Sequence, residues 1–74
     1  MHVRIEYGPN NGIDVTVEPN GTIRDFIFDA RNREFLGYGD DISVTRNGME
    51  VCLDAHPAEG DVYKVANRSG TKGN

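Results

Sequence analysis

Ile42-Ser43-Val44-Thr45-Arg46-Asn47-Gly48-Met49-Glu50-Val51-Cys52-Leu53 is the stretch whose reading decides the fold of this chain. Apolar residues alternate with polar ones on both sides of Asn47-Gly48: at Ile42 and Val44, then at Met49, Val51 and Leu53. A period of two turns one face of each segment inward, as in a half-buried strand. Asn-Gly between two such segments is the strongest short hairpin signal, because both residues tolerate the positive φ of a type I′ turn. The chain then runs through an irregular Ala55-His56-Pro57-Ala58, where proline forbids a central strand. Glu59-Gly60-Asp61 turns it into a further strand over Val62 to Ala66.

Upstream, His2 to Tyr7 alternates with Val3, Ile5 and Tyr7 inward, and Gly8-Pro9-Asn10-Asn11-Gly12 supplies a turn. Ile13 to Glu18 alternates again, with Ile13, Val15 and Val17 inward, which completes an N-terminal hairpin. Pro19-Asn20-Gly21 breaks the strand. Thr22 follows as a helix N-cap, with Asp25 in the place of the capping-box acid. From there the apolar period changes: Ile23, Phe26, Ile27 and Ala30 lie at helical spacing, so a helix from about Thr22 to Asn32 should lay this stripe on the sheet. Phe28 falls off the stripe and should be half exposed, while Phe35 and Leu36 extend it or fold back over it. Gly37 and Gly39 end the helix. The order is β-β-α-β-β-β, and one helix between two hairpins favours a sheet wrapped on a helix over a ferredoxin-like or SH3-like fragment. The sheet lining expected from the alternation is Val3, Ile5, Val15, Val17, Val44, Val51 and Val65.

Length and composition bound the function. In 74 residues there is room for one small domain, and a chain this short buries only about 60% of its unfolded surface. Hydrophobic content of 36% and charged content of 27% are those of a folded domain rather than a disordered one. A single cysteine, Cys52, builds neither a disulfide framework nor a structural zinc site. No basic leader precedes an apolar run, and no run approaches the roughly 20 residues of a membrane span. The cytoplasm is the expected compartment, with no membrane partner. A formal charge of −4 argues against nucleic-acid binding. The charge is also unevenly placed. Residues 1–63 carry five basic against twelve acidic side chains, whereas residues 64–74 carry Lys64, Arg68 and Lys72 and no acid.

The order of elements and the closing pattern, Asn47-Gly48-Met49-Glu50-Val51 followed by Glu59-Gly60-Asp61-Val62-Tyr63-Lys64-Val65, resemble prokaryotic ubiquitin-like proteins and the related sulfur carriers of thiamine and molybdopterin synthesis. The resemblance implies an α+β, ubiquitin-like β-grasp fold, a mixed sheet of four to five strands wrapped on one helix. The chain is expected to divide into a domain at 1–67 and a flexible C-terminal tail at 68–74, whose glycines and polar residues have nothing to bury. The resemblance further implies a carrier whose C-terminal glycine a partner enzyme activates as an acyl-adenylate, for transfer to sulfur or to a lysine amine. Gly70, Lys72 and Gly73 are then the tail residues, and an adenylating enzyme or a sulfurtransferase is the partner. Glycine suits this work because a tail without Cβ atoms threads a narrow site. The family's carriers end in Gly-Gly, whereas this sequence reads Gly70-Thr71-Lys72-Gly73-Asn74, so either Asn74 is trimmed or the chain does no carrier chemistry.

Other residue groups read as structure. Cys52 alternates with the inward Val51 and Leu53, has no neighbouring base, and reads as a small apolar filler on the opposite face rather than a nucleophile. His2 and His56 are too few for a metal site, and Asp40, Asp41, Asp54 and Glu59 lack calcium-loop spacing and read as solvated turn acids. Gly37-Tyr38-Gly39 follows a helix, not a strand, and is no dinucleotide loop. Gly70-Thr71-Lys72 lacks the upstream glycine of a P-loop. No catalytic residue, metal or cofactor is expected. The chain reads as a non-enzymatic, monomeric protein that works through contacts with other proteins. The competing reading is an adaptor or inhibitor that binds a partner through its sheet without tail chemistry.

Overall fold

The computed structural model describes residues 1–68. Seven elements follow in order: β1 (His2–Tyr7), β2 (Gly12–Thr16), α1 (Ile23–Ile27), α2 (Ala30–Leu36), β3 (Ile42–Arg46), β4 (Met49–Glu50) and β5 (Val62–Asn67). The strands form one mixed sheet in the order β2-β1-β5-β3-β4. Both hairpins are antiparallel, and β5 enters between them, parallel to β1 and antiparallel to β3. The registers Ile5↔Tyr63 and Val44↔Val65 bring inward residues of three strands together.

Asn47 and Gly48 both take positive φ, 56° and 81°, the geometry for which Asn-Gly is selected in a tight hairpin. The strand after the turn is shorter than the alternation predicts. Val51 still donates to the Val44 carbonyl, but Cys52 and Leu53 leave the sheet. The cause lies in α1, whose first N–H groups have no partners within the helix. Ile23 donates to the Ala55 carbonyl and Arg24 to the Leu53 carbonyl, which draws residues 53–55 away from β3 and over the helix end. Asp25 accepts from the Thr22 N–H at 3.0 Å, the acidic half of the expected capping box.

The single long helix is also corrected: it breaks at Phe28-Asp29 into two short ones. Asp29 is extended (φ −63°, ψ 127°) and its carboxylate caps α2 by accepting from the Arg31 N–H at 2.9 Å. The break frees carbonyls at the end of α1, and side chains beyond it satisfy them. Asn32 donates its amide to the Phe26 carbonyl at 2.8 Å, and the Tyr38 hydroxyl donates to the Ile27 carbonyl at 2.6 Å. Restarting the helix changes its phase. Ala30, expected on the inner stripe, is exposed, and Leu36 takes the buried position while Phe35 points outward at 70% exposure.

The core comprises Val3, Ile5, Ile23, Phe26, Ile27, Leu36, Tyr38, Ile42, Val44, Tyr63 and Val65. Val15, Val17 and Val51, expected to line the sheet, sit at its half-buried margin with Phe28. Two tyrosines enter that the sequence reading left out. Tyr63 is fully buried, with its ring 5.4 Å from that of Phe26, and Tyr38 packs edge-on to Tyr7 at 5.6 Å. No helix among the described residues is long and apolar enough to cross a membrane.

Candidate functional site

The functional end singled out by the sequence is the tail, and the structure describes its root. Gly70, Lys72 and Gly73 lie outside the described residues. β5 is the central strand, held by β1 on one side and β3 on the other, so the chain leaves the body from the middle of the sheet. Its last residues are tied down individually. Asn67 pairs with Ile42 in the ladder and donates its side-chain amide to the Tyr7 hydroxyl at 2.8 Å. Arg68 donates its backbone N–H to the Asp41 carbonyl at 2.9 Å, its Nε to the Ile42 carbonyl at 3.3 Å, and its Nη2 to Glu50 Oε2 at 2.7 Å. One residue thus bridges the entrance of β3 and the outer edge of the sheet.

Glu50 was within reach of the sequence as an outward position of its strand, one step from Val51. Its partnership with Arg68 was not, because it spans three strands that only the sheet order brings side by side. Arg68 itself read as one of three tail cations. The structure ties it to the entrance of β3 and to β4.

At the opposite end of β5 a second polar cluster closes the sheet. Asp61 Oδ2 accepts from Arg46 at 3.1 Å, from the Tyr63 hydroxyl at 2.6 Å and from the Ala58 N–H at 3.0 Å. Burial alone would push this carboxyl up. The hydrogen bonds from Tyr63, Ala58 and Arg46 outweigh it and hold the group below the usual aspartate value. Burial, reinforced by the bond to Asp61, pushes the Tyr63 phenol up to about 12, and burial likewise pushes Tyr38 up to about 12. Both phenols serve as fixed hydrogen-bond donors on structural acceptors.

The remaining candidates do not converge. Cys52 stands exposed just beyond β4, so it fills no core space. His2 pairs with Glu59 at 3.7 Å, and His56 donates from Nδ1 to the Gly21 carbonyl at 2.8 Å. Asp40 and Asp54 form exposed ion pairs with Arg33 and Arg24. Among the described residues no three His, Cys, Asp or Glu side chains cluster as metal ligands would. An open cleft of about 480 Å³ lies on the outer face between Arg4, Glu6, Lys64 and the 8–11 turn. Its Arg4 is already paired with Glu6 and Asp14.

Solved structures share this architecture. The crystal structure of SAMP1 from Haloferax volcanii matches 92% of this chain and 96% of its own, with a TM-score of 0.69 at 19% identity. A putative molybdopterin converting factor, subunit 1, from Pyrococcus furiosus matches 86% of this chain and 93% of its own, with a TM-score of 0.66 at 18% identity. A ubiquitin-like protein from Caldiarchaeum subterraneum matches over 92% and 96%, with a TM-score of 0.58 at 20% identity. The chain has the ubiquitin-like β-grasp fold. No family model matches it, and no curated protein does. At such identities the likeness is one of fold.

Proposed function

We propose that this small ubiquitin-like protein is a carrier or modifier that works through its C-terminal tail, with residues 1–67 as body and 68–74 as tail. The observation that carries the reading is the continuation of the central strand β5 into a glycine-bearing segment, on a fold shared with proteins described as a small archaeal modifier and as a molybdopterin converting factor subunit. In the proposed reaction a carboxylate oxygen of Gly73, freed of whatever follows it, attacks the α-phosphorus of ATP and expels pyrophosphate. A sulfur donor or a lysine amine then displaces AMP from the acyl-adenylate. Gly70 and Gly73 let the tail enter a narrow site, and Lys72 adds a positive charge for an acidic groove. The partners are an adenylating enzyme and the protein that receives the activated group. The cytoplasm, where one unpaired cysteine persists unbridged, is the proposed compartment.

The test is ATP–pyrophosphate exchange in extract of the source cells, comparing the chain as written, a form ending at Gly73 and a form ending at Ser69. Exchange by the second form and silence from the third supports the reading. Silence from all three, with a partner captured equally by each, leaves an adaptor that binds through its sheet.

A further inference from the structure

The contacts at the root of the tail have a directional character that neither strand pairing nor charge balance demands. Antiparallel pairing already holds Asn67 opposite Ile42. Beyond that point Arg68 adds three bonds to groups on two other segments: the Asp41 carbonyl, the Ile42 carbonyl and the Glu50 carboxylate. Arg68 follows Lys64 and Ala66 at the same alternation of β5, on the face that carries Thr45 and Glu50. Its planar fork serves a carbonyl through Nε and a carboxylate through Nη2 at once, which the point charge of a lysine cannot do. The ion pair is open to solvent, at 58% and 59% side-chain exposure, so it contributes little to global stability. Its evident effect is to fix a point of departure. From Arg68 to Gly73 are five residues, which at about 3.4 Å each span at most about 17 Å.

We propose that Arg68 is the positioning residue of the tail: tied to Glu50 and Ile42, it sets where and in which direction the chain leaves the sheet. An activating partner must then dock on this end of the sheet, with its reacting atoms within about 17 Å of Arg68. The proposal rests on the carrier reading for its function but not for the clamp itself. Ordering the root before docking spares the complex that cost, so loosening it raises KM and leaves kcat unchanged.

The discriminating variant is Glu50→Gln, which leaves Arg68 in place to meet any partner directly. Arg68→Lys and Arg68→Ala accompany it. In the full chain, trypsin cleavage after Arg68, followed by intact mass, should be about two- to five-fold faster in Glu50→Gln, the range of one exposed charge pair, with the melting temperature lowered by no more than about 8 °C. In pyrophosphate exchange with forms ending at Gly73, Glu50→Gln and Arg68→Ala should raise KM about two- to five-fold at constant kcat, with Arg68→Lys between them and the parent. Equal cleavage of parent and Glu50→Gln overturns the clamp. Faster cleavage with an unaltered KM makes the clamp structural and overturns the positioning role. If the parent is silent in exchange while Glu50→Gln still speeds cleavage, the carrier reading fails and the positioning role with it, and the clamp stands alone.

Discussion

Replacing Tyr38 by Phe tests the account of why the helix breaks. The Tyr38 side chain is buried, 4% exposed, and donates its hydroxyl at 2.6 Å to the carbonyl of Ile27, the last residue of α1. Phe keeps the ring and its edge-on contact with Tyr7, so the substitution removes the donor and little else. A buried acceptor left without its partner costs about 1–3 kcal/mol. For a domain of this size each kcal/mol lowers Tm by about 4–8 °C, so Tyr38→Phe should melt at least about 4 °C, and as much as about 24 °C, below the parent at pH 7. Urea titration should show the midpoint fall at constant slope. The same variant should alter the alkaline limb. The folded chain holds the Tyr38 proton up to about 12 because of burial, whereas the unfolded chain releases it near 10. Stability is therefore whole below about pH 10 and is lost as pH rises toward 12, at about 1.4 kcal/mol per unit for each such group. Tyr63 behaves alike, so the parent loses stability from two phenols and Tyr38→Phe from one. The alkaline slope should then be roughly halved. A Tm within about 2 °C of the parent together with an unchanged alkaline slope would refute the claim that this hydroxyl closes α1.

Phe26→Ala removes a ring that is 6% exposed and packed 5.4 Å from that of Tyr63. The cost should be about 3–5 kcal/mol, enough to abolish a cooperative melt by circular dichroism in a domain whose whole stability is of order 5 kcal/mol. Asp61→Asn addresses the opposite end of the pH range. The folded carboxylate titrates below its unfolded value, because the bonds from Tyr63, Ala58 and Arg46 outweigh its burial. Its stabilisation is thus present above about pH 4 and lost as pH falls through the folded value. The variant should be less stable at pH 7 by about 1–3 kcal/mol and should lose less on acidification to pH 2 than the parent, as read by urea midpoints. A parallel decline of parent and variant would show that Asp61 does not carry the acid limb.

The strands were legible because their signals are local. Alternation placed Val3, Ile5, Val44 and Val65 inward, and Asn47-Gly48 fixed a turn whose geometry only a few residue pairs accept. The errors fall where a backbone group needed a distant partner. The second strand of the hairpin ends at Glu50 because carbonyls 53 and 55 are claimed by α1. The helix breaks because Asp29 caps a new one, and Tyr38 and Asn32, 11 and 6 residues from their acceptors, finish the old. Apolar periodicity carries no information about such debts. Tyr38 was missed because it sat in a segment read for its turn residues, and Tyr63, at the inward alternation of its strand two residues before Val65, was passed over for the valine; a hydroxyl with a waiting acceptor makes each a core residue.

The candidate site divides along the same line. Glycine content and charge identified the tail, and these are properties of composition. How the tail is held depends on sheet order. β5 is the last strand in sequence but the third of five in space, so its residues bond on both sides while β2 and β4 each have an open edge. Fraying begins where hydrogen bonds are fewest, and a central strand is the last to open. A tail rooted there keeps its point of departure through fluctuations that would release one rooted at an edge. If the proposed carrier function holds, chemistry at the tail and partner binding at a sheet edge would draw on different parts of one sheet. On that proposal, substitutions at the margin, at Ile13, Val15 or Met49, should leave pyrophosphate exchange unchanged as long as the body folds, whereas loss of the Asn67 or Arg68 contacts should alter it.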